Sequence, residues 1–263
     1  MVEAILYFEA LGETRLAVED RVKRTAEGLR VSPLKVKQLD IGDVIEDPDL
    51  DPLRFSALME ARVEGRLRDL TGAVAEYGPT LVEVLGPGRV ELPAEELSSL
   101  LLGVAKSARS LVGNKVAIPI PRNLKEIPIP RIGFDEEELW EMIYQGRGIL
   151  YRLSLVLPRE MKRDTLLKLL LLEGCGVNGL GISDLDGVRE FTIEAVSSFE
   201  SLFAVAFKYL PVSVSIIEPQ TVDITAPELQ NALSDLGSFV NSTLMGEDFQ
   251  KAYERDTFSF KLG

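Results

Sequence analysis

A glycine-rich run at positions 174–179 comes closest to a recognised binding motif. Its residues, Gly-Cys-Gly-Val-Asn-Gly, satisfy the G-x-G-x-x-G spacing of dinucleotide-binding loops. Such a loop follows a strand and precedes a helix, because the helix N-terminus must meet the pyrophosphate. Here a leucine-rich helical pattern precedes the run and a strand pattern follows it, so we predict a helix end and turn instead. A small-molecule contact is the alternative, and its candidate residues are Gly174, Gly176, Asn178 and Gly179.

An acidic loop is the candidate for metal chemistry. It carries six carboxylates: Asp40, Asp43, Glu46, Asp47, Asp49 and Asp51. Carboxylate oxygens suit Mg²⁺ and Ca²⁺. The calcium-loop pattern fails, however, because a loop starting at Asp47 would have Pro52 in place of its glycine and Leu58 in place of its final glutamate. We therefore predict a solvated loop without a metal; the ligands of any ion that did bind would be Asp47, Asp49 and Asp51.

The usual catalytic side chains are scarce. The chain has no histidine and one cysteine, Cys175, so a cysteine–histidine pair and an internal disulfide are both excluded. No catalytic residue can be assigned, and we expect no cofactor. Arg122 and Arg131 each end an Ile-Pro-Ile-Pro-Arg segment, and their guanidinium groups are candidates for holding an anion.

These residues must be positioned by a fold that the chain contains twice. Tyr77 matches Tyr209, and Pro87 matches Pro219, at one constant offset (209 − 77 = 219 − 87 = 132). The matching pattern extends without a gap from position 70 to position 101 in the first copy. A period this long indicates a duplicated domain rather than a solenoid unit.

Hydrophobic periodicity predicts the order β-α-β-β-α-β in each copy. We therefore predict an α+β protein with two tandem ferredoxin-like domains, each followed by an extra helix. The predicted map has a first repeat with its appended helix at 1–112 and a proline-rich linker with a short helix at 113–148. A second repeat with its appended helix follows at 149–246, and a C-terminal tail at 247–263.

Composition limits the partners. The net charge of −13 is spread along the chain, which disfavours nucleic acid. No apolar run approaches the roughly 20 residues of a membrane span, so we expect no membrane partner and a cytoplasmic protein. The abundance of Glu and Arg is compatible with a thermophile. The helix Leu166–Leu172 is apolar nearly all round, which predicts packing between the copies; a homo-oligomer through this helix or the tail is the alternative.

The functional expectation is a non-enzymatic binding or assembly protein. It would sense a small molecule at the interface of its duplicated domains, because ACT-type regulatory domains share this element order and often bind ligands near such interfaces. That likeness is one of fold alone. The alternative is a carboxylate- and Mg²⁺-dependent enzyme with its site at the domain junction. RNA binding on the sheet faces is a third hypothesis, which the acidic balance opposes.

Overall fold

A computed structural model describes residues 1–113, 121–185 and 187–253. Helices and antiparallel sheets alternate along the chain, which confirms the predicted α+β class. The described chain forms two compact units. The first contains residues 1–89 and the described chain beyond residue 224, and the second contains residues 90–224.

The first unit is built on one antiparallel sheet. Its elements up to residue 89 are β1 (Val2–Gly12), α1 (Arg15–Val31), β2 (Lys35–Ile41), β3 (Ile45–Glu46), β4 (Phe55–Gly65), α2 (Leu67–Tyr77) and β5 (Leu81–Gly86). The strand order is β2-β4-β1-β5, and β3 also pairs with β4. Side chains along β1 alternate between buried and half-buried. Leu6 lies opposite Ala61 on β4 and Val82 on β5, and all three are buried in the core.

The second unit has a four-stranded antiparallel sheet and a further two-stranded one. Its elements are β6 (Arg89–Pro93), α3 (Ala94–Val112), α4 (Glu136–Trp140), β7 (Ile149–Pro158), α5 (Arg163–Leu172), β8 (Gly176–Leu185), β9 (Val188–Ser197), α6 (Phe199–Tyr209), β10 (Ser213–Glu218) and β11 (Thr221–Thr225). A 3₁₀ turn covers Arg122–Lys125, and α4 continues into a π-helical turn at Glu141–Gln145. The main sheet has the order β10-β7-β9-β8, and β11 pairs with β6. Leu153 lies opposite Ile193 on β9 and Val214 on β10 in the core.

The last helix, α7 (Ala226–Tyr253), belongs to the first unit, where it packs against β5 and α2. Conversely, α3 packs against β10 and α6 of the second unit. This grouping differs from the predicted map, which placed each appended helix with the repeat that precedes it in sequence. The helix also extends into the predicted tail as far as Tyr253. Residues 254–263 and positions 118–120 of the first Ile-Pro-Ile-Pro segment lie outside the described residues.

Hydrogen bonds from edge strands explain this grouping. β5 and β10 are edge strands, and the amide groups on the outer side of an edge strand need partners. The Val84 amide donates to Gln230 Oε1 on α7 (3.1 Å), and the Ile216 amide donates to Ser98 Oγ on α3 (3.0 Å). The two donors and the two acceptors are each separated by 132 residues, the offset found in the sequence (216 − 84 = 230 − 98 = 132). A helix remote in sequence thus covers each edge.

Close backbone packing fixes α7 in the first unit. Gly78 ends α2 with φ +58°, and a Cβ on it would lie 2.8 Å from the Asn241 amide nitrogen. A Cβ on Gly237 would overlap the carbonyl oxygen of Pro79. Glycine at these two positions therefore allows α7 to lie directly on the turn that follows α2.

Replacing Gly237 with alanine should therefore destabilise the protein. We expect Gly237→Ala to lower the free energy of unfolding by about 1–3 kcal/mol, because α7 or the Pro79 turn must move to accept the methyl group. Guanidinium unfolding followed by circular dichroism measures this change. The control is Gly72→Ala in α2, where the methyl group meets open space. Improved helix propensity should raise the stability of that variant by up to about 1 kcal/mol. Equal effects of the two substitutions would contradict the close approach of α7.

Candidate functional site

The glycine-rich run lies between α5 and β8, in the order helix, turn, strand. Gly174 has φ +81°, a conformation that favours glycine and turns the chain out of the helix. The segment that precedes α4 covers the start of the run. A Cβ on Gly176 would lie 2.9 Å from the Phe134 ring, so the glycine makes room for that ring.

The polar groups of Asn178 bind the same covering segment. Its Oδ1 accepts a hydrogen bond from the Phe134 amide (3.0 Å), and its Nδ2 donates to Glu194 Oε1 (2.8 Å). The Gly133 amide donates to the Val177 carbonyl (3.1 Å). These contacts favour a structural role for the glycine run, and a ligand at Gly174, Gly176, Asn178 and Gly179 stays an untested prediction.

The two predicted anion-binding arginines have different surroundings. Arg131 pairs with Glu138, and its guanidinium carbon lies 5.0 Å from the centre of the Phe134 ring. Arg131 is thus close to the segment that covers the glycine run, although its charge is already engaged. Arg122 starts the 3₁₀ turn at Arg122–Lys125, and its side chain lies outside the described part of the structure.

The acidic loop does not gather its carboxylates. Asp47 is half-buried and its Oδ1 accepts a hydrogen bond from the Asp49 amide (3.0 Å), while Asp49, Asp51 and the other three acidic residues are exposed. Within the described residues, no three histidine, cysteine or acidic side chains come together in a way that could hold a metal ion. The geometry therefore offers no support for the Mg²⁺-dependent alternative.

Cys175 is buried in the core of the second unit. The Tyr151 hydroxyl donates to its sulfur (3.3 Å), and burial raises the pKa of the Cys175 thiol to about 11. The thiol is therefore protonated at neutral pH and is a poor nucleophile.

The most distinctive polar opening lies in the first unit, between α1, the end of α2 and α7. We call it the arginine cleft. Its volume is about 350 Å³, within the range of small-molecule sites. Its lining residues are Arg21, Arg24, Thr25, Glu76, Tyr77 and Leu244.

Two guanidinium groups and one carboxylate, Glu76, belong to the described lining of this cleft. Arg21 is half-buried, and its Nη2 donates to Oδ1 of the buried Asn241 (2.8 Å). Burial lowers the pKa of Arg21, and the neighbouring charge of Arg24 lowers it further. Like charges this close repel each other, so an anion between them would be stabilised by both.

Tyr77 supplies a neutral hydroxyl group at the same opening. A Cβ on Gly28 would lie 2.6 Å from the Tyr77 hydroxyl, so the ring lies directly against α1 where that helix has a glycine. Burial raises the pKa of Tyr77, and a hydrogen bond with Glu76 raises it further. The phenol therefore stays protonated at neutral pH.

Sequence reasoning missed this cleft. Arg21 and Arg24 have the spacing of an ordinary charged helix face, and the sequence distinguishes Tyr77 only by its match to Tyr209. Asn241, which orients Arg21, lies 220 residues away along the chain. The one local signal was Gly28 inside a helical pattern, because an interior helix glycine often permits a close approach.

A second groove of about 420 Å³ lies beside α1, where that helix faces the end of β2. Along α1 it presents Arg15, Glu19, Lys23, Glu27 and Arg30, and Asp43 lines it from the loop after β2, so its described lining has three positive and three negative side chains. Positive and negative side chains alternate at helical spacing and compensate one another. This groove therefore has no preference for the charge of a ligand, and the arginine cleft is the better candidate site.

The structure is that of an α+β protein of two compact units, with a cleft in the first unit that is lined by Arg21 and Arg24. The chain belongs to the MJ0538 family, which it matches over residues 3–250. No curated protein and no solved structure gives a significant match. Across the described ranges, no helix has the length and apolar character needed to cross a membrane. The family name specifies no ligand, so function must be argued from geometry.

The buried thiol yields a test of the second unit. A thiol reagent such as DTNB at pH 8 should leave Cys175 of the native protein unmodified, because the reactive thiolate is scarce and the sulfur is buried. In denaturant, one thiol per chain should react. Since burial raises the pKa of this group, its contribution to stability should be complete below the pKa of an unfolded cysteine. That contribution should then fall as the pH rises toward 11. Rapid labelling of the native protein would show that the site is open.

Proposed function

We propose that this protein is a non-enzymatic binding protein that holds a small anionic molecule in the arginine cleft. The observation that carries the proposal is the placement of Arg21 and Arg24 at one opening together with the hydroxyl groups of Thr25 and Tyr77. A carboxylate or phosphate group is the chemistry that matches paired guanidinium groups, because their donors form a planar fork.

The cleft is organised before any ligand enters. The hydrogen bond from Arg21 to Asn241 holds the guanidinium in one orientation, which lowers the entropy lost when an anion binds. Leu244, which is 49% exposed, offers an apolar contact at the rim. A ligand with an anionic head and a small apolar part fits these features.

The lining groups favour binding over catalysis. The two guanidinium groups can pair with an anion, and the phenol of Tyr77 stays protonated at neutral pH and is therefore not a base. Glu76 is the one carboxylate among the described lining residues and is a hydrogen-bond partner of Tyr77. This set supports recognition of an anion, and we expect no turnover of the bound molecule.

We further infer that the two units are tandem ferredoxin-like domains from an internal duplication. The sheet order β5-β1-β4-β2 of the first unit corresponds strand by strand to the order β10-β7-β9-β8 of the second. Strand β3, which pairs with β4, is left out of this comparison. The constant offset of 132 residues and the equivalent edge-strand hydrogen bonds support the same origin.

The duplication suggests why only the first unit would bind the ligand. Asn241 aligns with Arg109 (241 − 132 = 109), and Arg109 donates to the carbonyl of Leu210, the residue aligned with Gly78. Beside it, Lys208 pairs with Glu173 (2.8 Å). Arg109 and Lys208 thus each have a hydrogen-bond partner within the second unit.

The test is calorimetric titration with inorganic phosphate, succinate and ATP as probes. At least one should bind, with an affinity that falls as salt concentration rises. Arg24→Gln should weaken that binding about tenfold to a hundredfold, because one charge-assisted pair is lost. Arg21→Lys should also weaken it, since a lysine keeps the charge but cannot bind both the anion and Asn241 with a planar fork.

The matched control is Arg30→Gln, which makes the same charge change on α1 away from the cleft. Its affinity should equal that of the unmodified protein. Failure of all three probes to bind would contradict the proposal, as would an equal loss in the Arg30 and Arg24 variants.

A further inference from the structure

The helix that precedes β7 presents two large aromatic side chains at the surface of the second unit. Trp140, the only tryptophan of the chain, is 53% exposed, and Tyr144 is 54% exposed. Their ring centres are 5.8 Å apart and their planes are tilted by 39°. Aromatic residues usually bury most of their area, so an adjacent pair left exposed indicates an interaction surface.

Carboxylates surround these rings. Glu136, Glu137 and Glu141 are exposed on the same short helical segment, at positions three or four residues from one ring or the other. Within the described residues, none of the three forms an ion pair. We call Trp140, Tyr144 and these three glutamates the aromatic–acidic face.

The opposite side of the segment holds the face in place. Ile143 is 5% exposed and packs with Leu150 and Val196, and the partly buried Phe134 and Leu139 pack against the same cluster. The rings therefore project from a helix whose other side is part of a hydrophobic core, rather than from a mobile loop.

Hydrogen bonds fix both ends of the segment. At its start, the Glu138 amide donates to Asp135 Oδ1 (2.8 Å), and the Asp135 amide donates to Glu138 Oε2 (3.0 Å), which forms a capping box. Near its end, the Tyr144 hydroxyl donates to Glu218 Oε2 (3.2 Å). A surface ordered in advance loses little conformational entropy when it binds.

We propose that the aromatic–acidic face binds an arginine-rich segment of a partner protein. A guanidinium group stacks on the face of an indole or phenol ring and pairs with neighbouring carboxylates, and this surface offers both. Tryptophan, tyrosine and arginine are also the residues that contribute most at protein interfaces. The charge of the face disfavours two other partners. Exposed glutamates repel an anionic lipid surface, and they also repel a second copy of this chain, because its net charge is −13.

Trp140 itself is the reporter for the test. The full-length protein is titrated with a hexa-arginine peptide at low salt, and the tryptophan fluorescence is followed. We expect a saturable change, an affinity higher than that for hexalysine, and weaker binding as salt is added. Arginine should exceed lysine because only its planar group can stack and pair at once.

Variants locate the binding site by calorimetry. Trp140→Ala and the double variant Glu137→Gln, Glu141→Gln should each bind hexa-arginine about tenfold more weakly. Tyr144→Phe should bind nearly as well as the unmodified protein, because the ring is kept. The matched control is the double variant Glu95→Gln, Glu96→Gln, which removes two exposed charges from the first turn of α3 and should bind normally. Circular dichroism confirms that each variant is folded.

Four results would overturn the proposal. They are an absence of saturable binding, an equal loss in the Glu95/Glu96 control, equal affinity for hexalysine and hexa-arginine, and self-association without peptide that changes Trp140 fluorescence with protein concentration. Binding of the phosphate, succinate or ATP probe to the arginine cleft is measured separately, so failure of one proposal leaves the other intact.

Discussion

The structure depends on the need of edge-strand amides for hydrogen-bond partners. In each unit one edge strand, β5 or β10, has backbone amides on its outer side that no neighbouring strand pairs with. An unpaired amide there costs free energy and favours association with other chains. Gln230 and Ser234 on α7 accept from β5, and Ser98 on α3 accepts from β10. This requirement explains why each unit includes a helix remote in sequence from most of its strands. The glycines at the turn after α2 then let the helix backbone approach closely enough for the bonds to form.

The arginine cleft follows from the same packing. α7 lies on the turn after α2, and this places Asn241 where it can orient Arg21. At the aligned position of the second unit an arginine bonds to a backbone carbonyl instead. The aligned positions therefore carry an arginine–asparagine hydrogen bond in the first unit and an arginine–carbonyl hydrogen bond in the second.

The segment from Arg131 to Gln145 contacts the glycine-rich run and also carries the exposed aromatic pair. Its Phe134 ring occupies the space that Gly176 leaves open, and the Phe134 amide donates to Asn178 Oδ1. The glycine-rich run is therefore a contact surface for another segment of the same chain. The helix of that segment then buries Ile143 and leaves Trp140 and Tyr144 outward. The hydrophobic contacts on one side of this segment are thus what keep the aromatic pair on the other side ordered and exposed.

Much of the local structure was determined by the sequence alone. Buried Val18, Val22 and Ala26 in α1 follow the helical period, and the α+β class follows from alternating strand and helix patterns, because both depend on interactions between near neighbours. The tertiary structure alone decided which helix covers which sheet edge and which side chains meet at the cleft. Arg21 and Asn241 are joined by packing across 220 residues, and no periodicity or spacing encodes such a contact, since it depends on the three-dimensional course of the backbone between them.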